Sequence, residues 1–180
     1  MLPGKRIKLR AMEPEDIPAM VRWLNDPEVI ENLLRYAPLS IKEEEGWYEK
    51  MIASPAEEHY YMIDVLDEDT VKTIGTTHLH NVDWKNRSAE IAICIGEKNY
   101  WGNGYGCETM QLMLRHGFND LNLNRMYLYV FDTNERAKKA YLAAGFVEEG
   151  RLRQDIYKNG QYIDTHIMSV LRDEWQDARV

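Results

Sequence analysis

Hydrophobic and polar positions alternate in KRIKLR, residues 5–10, which predicts a first strand with Ile7 and Leu9 facing inward. The spacing then changes. EPEDIPAMVRWLND (13–26) opens on acidic residues that suit a helix start, and it carries Ile17, Met20, Val21 and Leu24 on one stripe. Asp26-Pro27 interrupts that helix. Val29, Leu33 and Leu34 predict a short second helix, which Pro38 breaks. Ser40 starts a third, SIKEEEGWYEKMI, with Glu43 as its capping-box partner.

After Pro55 the pattern turns to strands. HYYMIDVL (59–66), a turn at DEDT (67–70) and VKTIGTTHLHNV (71–82) read as a hairpin. RSAEIAICIG (87–96) is the next strand. Its period of two puts Ala89, Ile91, Ile93 and Ile95 on a core face and Ser88, Glu90, Ala92 and Cys94 on the other. A glycine-rich loop and a helical run, CETMQLMLRHGF (107–118), follow. RMYLYVFD (125–132) is hydrophobic at nearly every position, as in a strand covered on both faces. NERAKKAYLAAG (134–145) is a helix stopped by Gly145. Last, GFVEEGRLRQDIYK and QYIDTHIMSVL flank Asn159-Gly160, a strong hairpin signal, and residues 172–180 read as a surface tail. The order predicts one α/β (α+β) domain over residues 1–180, with a mixed sheet and helices packed on it.

Composition narrows the function classes. Of 180 residues, 44% are hydrophobic and 29% charged, as in a globular domain. The formal net charge of -8 disfavours a nucleic-acid surface and is compatible with a cationic substrate, although such charge also serves solubility. The two cysteines, Cys94 and Cys107, have no metal spacing near them, and a reduced, cytoplasmic compartment is the natural expectation. The N-terminal stretch is too polar for a signal peptide, and no apolar run approaches the length of a membrane span.

Chemistry enters at NYWGNGYGCETM, residues 99–110, where Gly102, Gly104 and Gly106 sit between a strand and a helix. No Lys-Ser or Lys-Thr follows, so this is not a Walker loop. A dinucleotide fingerprint belongs after the first strand of its fold, and this loop comes after four. Bare backbone at a helix N-terminus still suits an anion, because uncovered N–H groups and the helix dipole converge there. A tight loop without a ligand is the alternative. A second cluster follows in NERAKKAYLAAGF: Asn134 is a good N-cap, Ala137, Ala140 and Tyr141 share a helix face, and Gly145-Phe146 begins the next strand.

Together the two clusters resemble the GNAT superfamily of acetyl-coenzyme A dependent N-acetyltransferases, over nearly the whole chain. The family's Gln/Arg-x-x-Gly-x-Gly/Ala motif falls on Trp101 to Gly106. Gly104 and Gly106 match; Trp101 departs and leaves the anion nest to backbone at that residue. The second motif matches at Asn134, Ala137, Tyr141, Gly145 and Phe146. Residues 5–29 resemble the ribosomal-protein alanine and spermidine acetyltransferase branches. Residues 122–171 look like the spermidine branch, including Asn-Gly-Gln-Tyr at Asn159 to Tyr162.

The resemblance implies a mostly antiparallel sheet, splayed where the pantetheine arm of acetyl-CoA enters, and direct attack by a primary amine. It implies cofactor contacts at Ile93, Cys94 and Ile95, along Trp101, Gly102, Asn103, Gly104, Tyr105, Gly106 and Cys107, and at Asn134, Ala137 and Lys138. Glu90, a carboxylate on the small-residue face, is the candidate base; pairing with Arg87 or Lys85 is the alternative. His78 and His80 are rival bases, and no third ligand beside them suggests a metal. Tyr141 is the candidate acid, unless its ring only packs. Cys107, at a helix start, is expected to have a lowered thiol pKa without a catalytic role.

The substrate pocket is expected between the first helices and the last hairpin. The acidic run Glu43, Glu44, Glu45 and Glu49 either attracts a cation or is a solvated face. Trp23, Trp47, Tyr48, Trp84 and Tyr100 either wall the pocket or pack. The expected partner is a small-molecule amine such as a polyamine, with peptide N-termini and amino sugars as further acceptors and a non-catalytic acyl-CoA-binding domain as the other class. Neither nucleic acid nor membrane is expected, and a homodimer stays open.

Overall fold

Strand β1 (Leu2–Pro3) leads into β2 (Ile7–Ala11), where Ile7 and Leu9 are fully buried as the alternation predicts. The computed structural model describes residues 1–66 and 71–176. The expected turn at 67–70 and the end of the tail therefore lie outside the described residues. A 3-10 turn precedes α1 (Ile17–Leu24), and α2 (Pro27–Ile30) and α3 (Ile41–Ile52) follow. Helix α2 is only one turn long, and Leu33 lies in the loop beyond it. Ser40 and Glu43 cap α3 reciprocally, an arrangement worth about 1 kcal/mol.

Strands β3 (Tyr61–Leu66), β4 (Val71–Asp83) and β5 (Ser88–Ile95) come next. Then come α4 (Tyr105–Arg115), β6 (Arg125–Phe131), α5 (Glu135–Ala143), β7 (Val147–Lys158) and β8 (Gln161–Leu171). The eight strands form one sheet in the order β1-β2-β3-β4-β5-β6-β8-β7. Every neighbouring pair is antiparallel except β5 and β6. Asn159 and Gly160 both take positive φ, 51° and 82°, as a two-residue hairpin turn with right-handed strand twist requires.

Alternating side chains divide the core in two. Ile63 and Val65 of β3 and Ile91 of β5 pack with Met110, Met113 and Phe118 of α4 and the π-helical turn after it. Met62 and Cys94, on the opposite face, pack with Met20, Trp23, Tyr48 and Met51 of α1 and α3. Gly96 lets α1 seat, since a Cβ there would lie 2.2 Å from the Trp23 ring. Near the C-terminus, Trp175 is half-buried against Phe118, with ring centroids 5.4 Å apart.

The expectation that β6 is covered on both faces is corrected. Met126, Leu128 and Val130 are buried on one face; on the other Phe131 is buried but Tyr129 is 45% exposed, and among the described residues no member of the α1–α3 cluster comes from β6. The feature that shapes the site is the β5–β6 junction. Their parallel register runs only from Ser88↔Arg125 to Glu90↔Tyr127. Beyond it β6 continues with β8 alone, and β5 runs on to Ile95 with that edge unpaired among the described residues.

Candidate active site

The free edge of β5 borders a pocket of about 220 Å³. Helix α1 supplies Met20 and Leu24, and Leu33 reaches in from the loop after α2. From α3 come Glu44 and Trp47; Tyr60 and His78 form an aromatic wall. Ala92 and Cys94 of β5 make the floor, on the small-residue face that period two assigned to them. Of the aromatic candidates, only Trp47 lines the pocket; Trp23 and Tyr48 are buried in the core and Trp84 is half exposed. At the pocket's outer side the β7–β8 hairpin ties down the loop after α2. The Lys158 ammonium donates to the carbonyls of Ile30 at 2.7 Å and Arg35 at 3.2 Å, and also to that of Leu33.

At the end of β5 the chain enters the glycine loop. Gly102 and Gly104 take φ of 76° and 84°, the left-handed conformation that glycine adopts without strain. Among the described residues, no backbone N–H from Gly102 to Cys107 donates a hydrogen bond; the first bond of α4 runs from Glu108 to the Gly104 carbonyl at 3.1 Å. These are orphan donors at a helix N-terminus, where an anion is favoured. The residues therefore fit a phosphate-bearing cofactor.

Two cations border this loop. Arg6 donates from Nη1 to the Asn103 carbonyl at 2.9 Å, and its guanidinium carbon is 4.7 Å from the Tyr105 ring centroid. Glu108, buried in α4, holds Arg6 through Nε at 2.9 Å and accepts the backbone N–H groups of Lys5, Arg6 and Ile7. Arg136 of α5 lies over the Trp101 ring, with 3.7 Å between guanidinium carbon and centroid. Trp101 in turn donates its indole N–H to the Ile95 carbonyl at 2.7 Å. Trp101 thus supplies no cation, but it positions one.

Asn134 caps α5 as expected, accepting the Ala137 N–H at 3.2 Å. Lys138 commits its ammonium to Glu135 at 2.6 Å and Asp132 at 3.7 Å. Tyr141 faces the same slot: its ring is 5.9 Å from Phe146, and Cys94 and Arg136 are its electrostatic neighbours. Burial pushes its hydroxyl up to about 12, so it stays a protonated donor. The hydroxyl forms no hydrogen bond among the described residues.

Burial also pushes the Cys94 thiol up to about 12. The expectation of a lowered pKa at Cys107 is corrected. Burial there outweighs the helix terminus and Arg6, and Glu108 adds to the rise.

Glu90 pairs with neither Arg87 nor Lys85. Its carboxylate accepts from the Asn81 amide at 3.0 Å and lies 3.3 Å from His80 Nε2. It stands at the point where β5 and β6 part, and it is not among the residues that line the pocket. The histidines connect the two places: His80 and His78 have ring centroids 5.1 Å apart, and His78 stacks on Tyr60 at 3.7 Å. Burial, with His80 beside it, lowers His78 to about 3 and keeps it neutral. The acid inside the pocket is Glu44, only 4% exposed. The α3 periodicity contains this signal, because Glu44 shares a face with Tyr48 and Met51.

The profile of the "Acetyltransferase (GNAT) domain" family matches residues 6–147. A curated relative from Bacillus subtilis, the uncharacterized N-acetyltransferase YoaA, is 31% identical over 176 residues, covering 96% of this chain and 97% of its own. The spermidine N(1)-acetyltransferase of Vibrio cholerae is 29% identical, covering 96% of each chain. The crystal structure of spermidine N-acetyltransferase from Vibrio cholerae in complex with CoA and spermine superposes with a TM-score of 0.86 at 28% identity, over 94% of this chain and 97% of that one. The chain thus belongs to the GNAT acetyltransferase family, as an acetyl-CoA-dependent N-acetyltransferase.

Proposed function

We propose that the acceptor is a primary amine of a polyamine or similar alkyl cation. The observation that carries this reading is the pocket at the β5 edge. Its walls are apolar and aromatic, its one acidic side chain is Glu44, and among the described residues no lysine or arginine lines it. Such a pocket suits an alkyl chain bearing a positive charge. The resemblance to spermidine acetyltransferases in sequence and fold supports the same class of acceptor.

Acetyl-CoA supplies the activated acyl group. The N–H groups from Gly102 to Cys107, with Arg6 and Arg136 beside them, hold its phosphates; Ile93, Cys94 and Ile95 orient the arm along the free edge. Asn134 and Ala137 form the neighbouring helix start, where the Lys138 ammonium is paired with Glu135 and Asp132. Tyr141 gives its proton to the departing sulfur. Glu90 takes up the ammonium proton by way of water, with His80 beside it and His78 at the pocket wall.

A thiol-release assay with spermidine, spermine, putrescine, an amino sugar and a short peptide with a free N-terminus tests the reading. The highest kcat/KM is expected for a polyamine. A higher value for the amino sugar or the peptide overturns it, and tight CoA binding without thiol release for any amine returns the chain to the non-catalytic class.

A further inference from the structure

We infer that Glu44 is the counter-ion that seats the acceptor's ammonium in the pocket, and so selects charged alkyl amines. The inference rests on the acceptor reading above.

Glu44 belongs to a run of acids on α3, but its neighbours differ from it. Glu43 is engaged in the capping box with Ser40, and Glu45 is exposed and pairs with Lys42 at 3.2 Å. Glu44 points the other way, into the pocket wall beside Trp47. It is 4% exposed, and its carboxylate has no hydrogen-bond partner among the described residues. A largely buried side chain whose carboxylate meets no protein donor is costly, and because its oxygens are not sealed from solvent they are open to a donor that enters the pocket. Arg35 is the opposing charge that acts on it, but among the described residues the two form no hydrogen bond, the buried Arg35 Nε has no partner, and Arg35 does not line the pocket.

The missing partner must enter from the pocket. It must be a hydrogen-bond donor, to satisfy the carboxylate oxygens, and a cation, to offset their desolvation. Its remainder must be apolar, because Met20, Leu24 and Leu33 surround the space. A primary ammonium on an alkyl stem meets all three demands. Trp47 and Tyr60 add aromatic faces suited to the same charge. Burial raises the carboxyl of Glu44 above the usual range, and an arriving ammonium reverses that shift.

The test compares Glu44→Gln and Glu44→Asp with Glu45→Gln, which removes the same charge from the exposed side of α3. KM for the best amine of the panel should rise at least tenfold in Glu44→Gln, with KM for acetyl-CoA unchanged. Glu44→Asp keeps the charge and should fall between Glu44→Gln and wild type. Glu45→Gln should match wild type. In the presence of CoA, n-butylamine should raise the Tm of the wild type, whereas 1-butanol should not. The amine's stabilisation should vanish in Glu44→Gln.

An unchanged amine KM in Glu44→Gln, or equal stabilisation by butanol and butylamine, overturns the inference while leaving the polyamine reading intact. A wild type that prefers the amino sugar or the peptide overturns the acceptor reading and leaves Glu44 as the counter-ion of the ammonium if the KM shift appears. A Glu44→Gln protein that loses Tm but keeps the amine KM assigns Glu44 to structure alone.

Discussion

The guanidinium carbon of Arg136 lies 3.7 Å from the centroid of the Trp101 ring, and the indole N–H of Trp101 is fixed on the Ile95 carbonyl. A strand end, a loop and the first turn of α5 are thereby held together at the mouth of the glycine nest. Where the family motif has Gln or Arg within the loop, this chain has Trp101, and a cation from α5 rests on its ring.

Removing that cation should weaken cofactor binding. Arg136→Ala is expected to raise the Kd for CoA about tenfold by titration calorimetry, or ~1.4 kcal/mol. Arg136→Lys should recover only part of this, since an ammonium lacks the planar face that stacks on an indole. An unchanged Kd in Arg136→Ala would confine the pair to packing.

What the sequence disclosed was local. The glycine loop, the Asn134 cap, Tyr141 on its helix face and the Asn159-Gly160 turn each depend on neighbours within a few residues, so their patterns are visible in one dimension. Arg6 was not visible as a site residue, because only the fold brings it to Glu108, 102 positions away. Period two assigned Glu90 to the correct face of β5, but it does not say where along the strand the α1–α3 layer closes a pocket. The hydrophobic run of β6 misled because Tyr127 and Tyr129 read like core residues while their face is covered only in part, half-burying Tyr127 and exposing Tyr129 although Phe131 is buried. Glu44 lay hidden in a run of like charges; only the helix period, counted from Tyr48, separates it from Glu43 and Glu45.

Tyr141→Phe separates chemistry from packing. The ring and its contact with Phe146 remain, and only the hydroxyl is lost. Proton donation of this kind contributes about 10²–10⁴-fold. A kcat lower by at least 10²-fold is therefore expected, with little change in CoA affinity. A near-wild-type kcat under conditions where chemistry is rate-limiting would reduce Tyr141 to a packing residue.

His166 makes stability depend on pH. Its Nε2 lies 2.6 Å from Asp132 and its Nδ1 2.8 Å from Glu148. Both partners are acceptors only, so both ring nitrogens donate, and the ring is an imidazolium. The bond to Asp132, with Glu148 adding to it, raises the pKa of His166. The folded value lies above the unfolded one. The contribution is therefore complete below the ordinary histidine value of about 6.5 and is lost as pH rises through the raised folded value. Asp132, lowered by His166, sets the opposite limit: its contribution is lost as pH falls below the ordinary carboxylate range. In wild type Tm should decline on the alkaline side, whereas in His166→Gln this part of the decline should be absent. Parallel Tm curves for the two proteins above pH 6 would remove His166 as the cause.

Glu90 tests where the acceptor's proton goes. At physiological pH the amine arrives as an ammonium without a free lone pair, so a group in or near the pocket must take a proton before attack. Glu90 stands at the parting of β5 and β6, 3.3 Å from His80, with the neutral His78 between that pair and the pocket. Glu90→Gln preserves the shape and keeps a partner for Asn81, so the fold should survive. Its kcat/KM for the best amine is expected to fall at least tenfold, about 1.4 kcal/mol of transition-state stabilisation. The acidic limb of the pH profile should move or disappear, and the rate should partly recover at high pH, where free amine is abundant. His78→Asn should lower the rate without moving that limb, because His78, at about 3, does not titrate in this range. If Glu90→Gln leaves the limb in place and only raises the amine KM, Glu90 attracts the substrate rather than taking its proton. If neither quantity changes, the ammonium gives up its proton to solvent or to Glu44, and His78 serves only as the wall on which Tyr60 stacks.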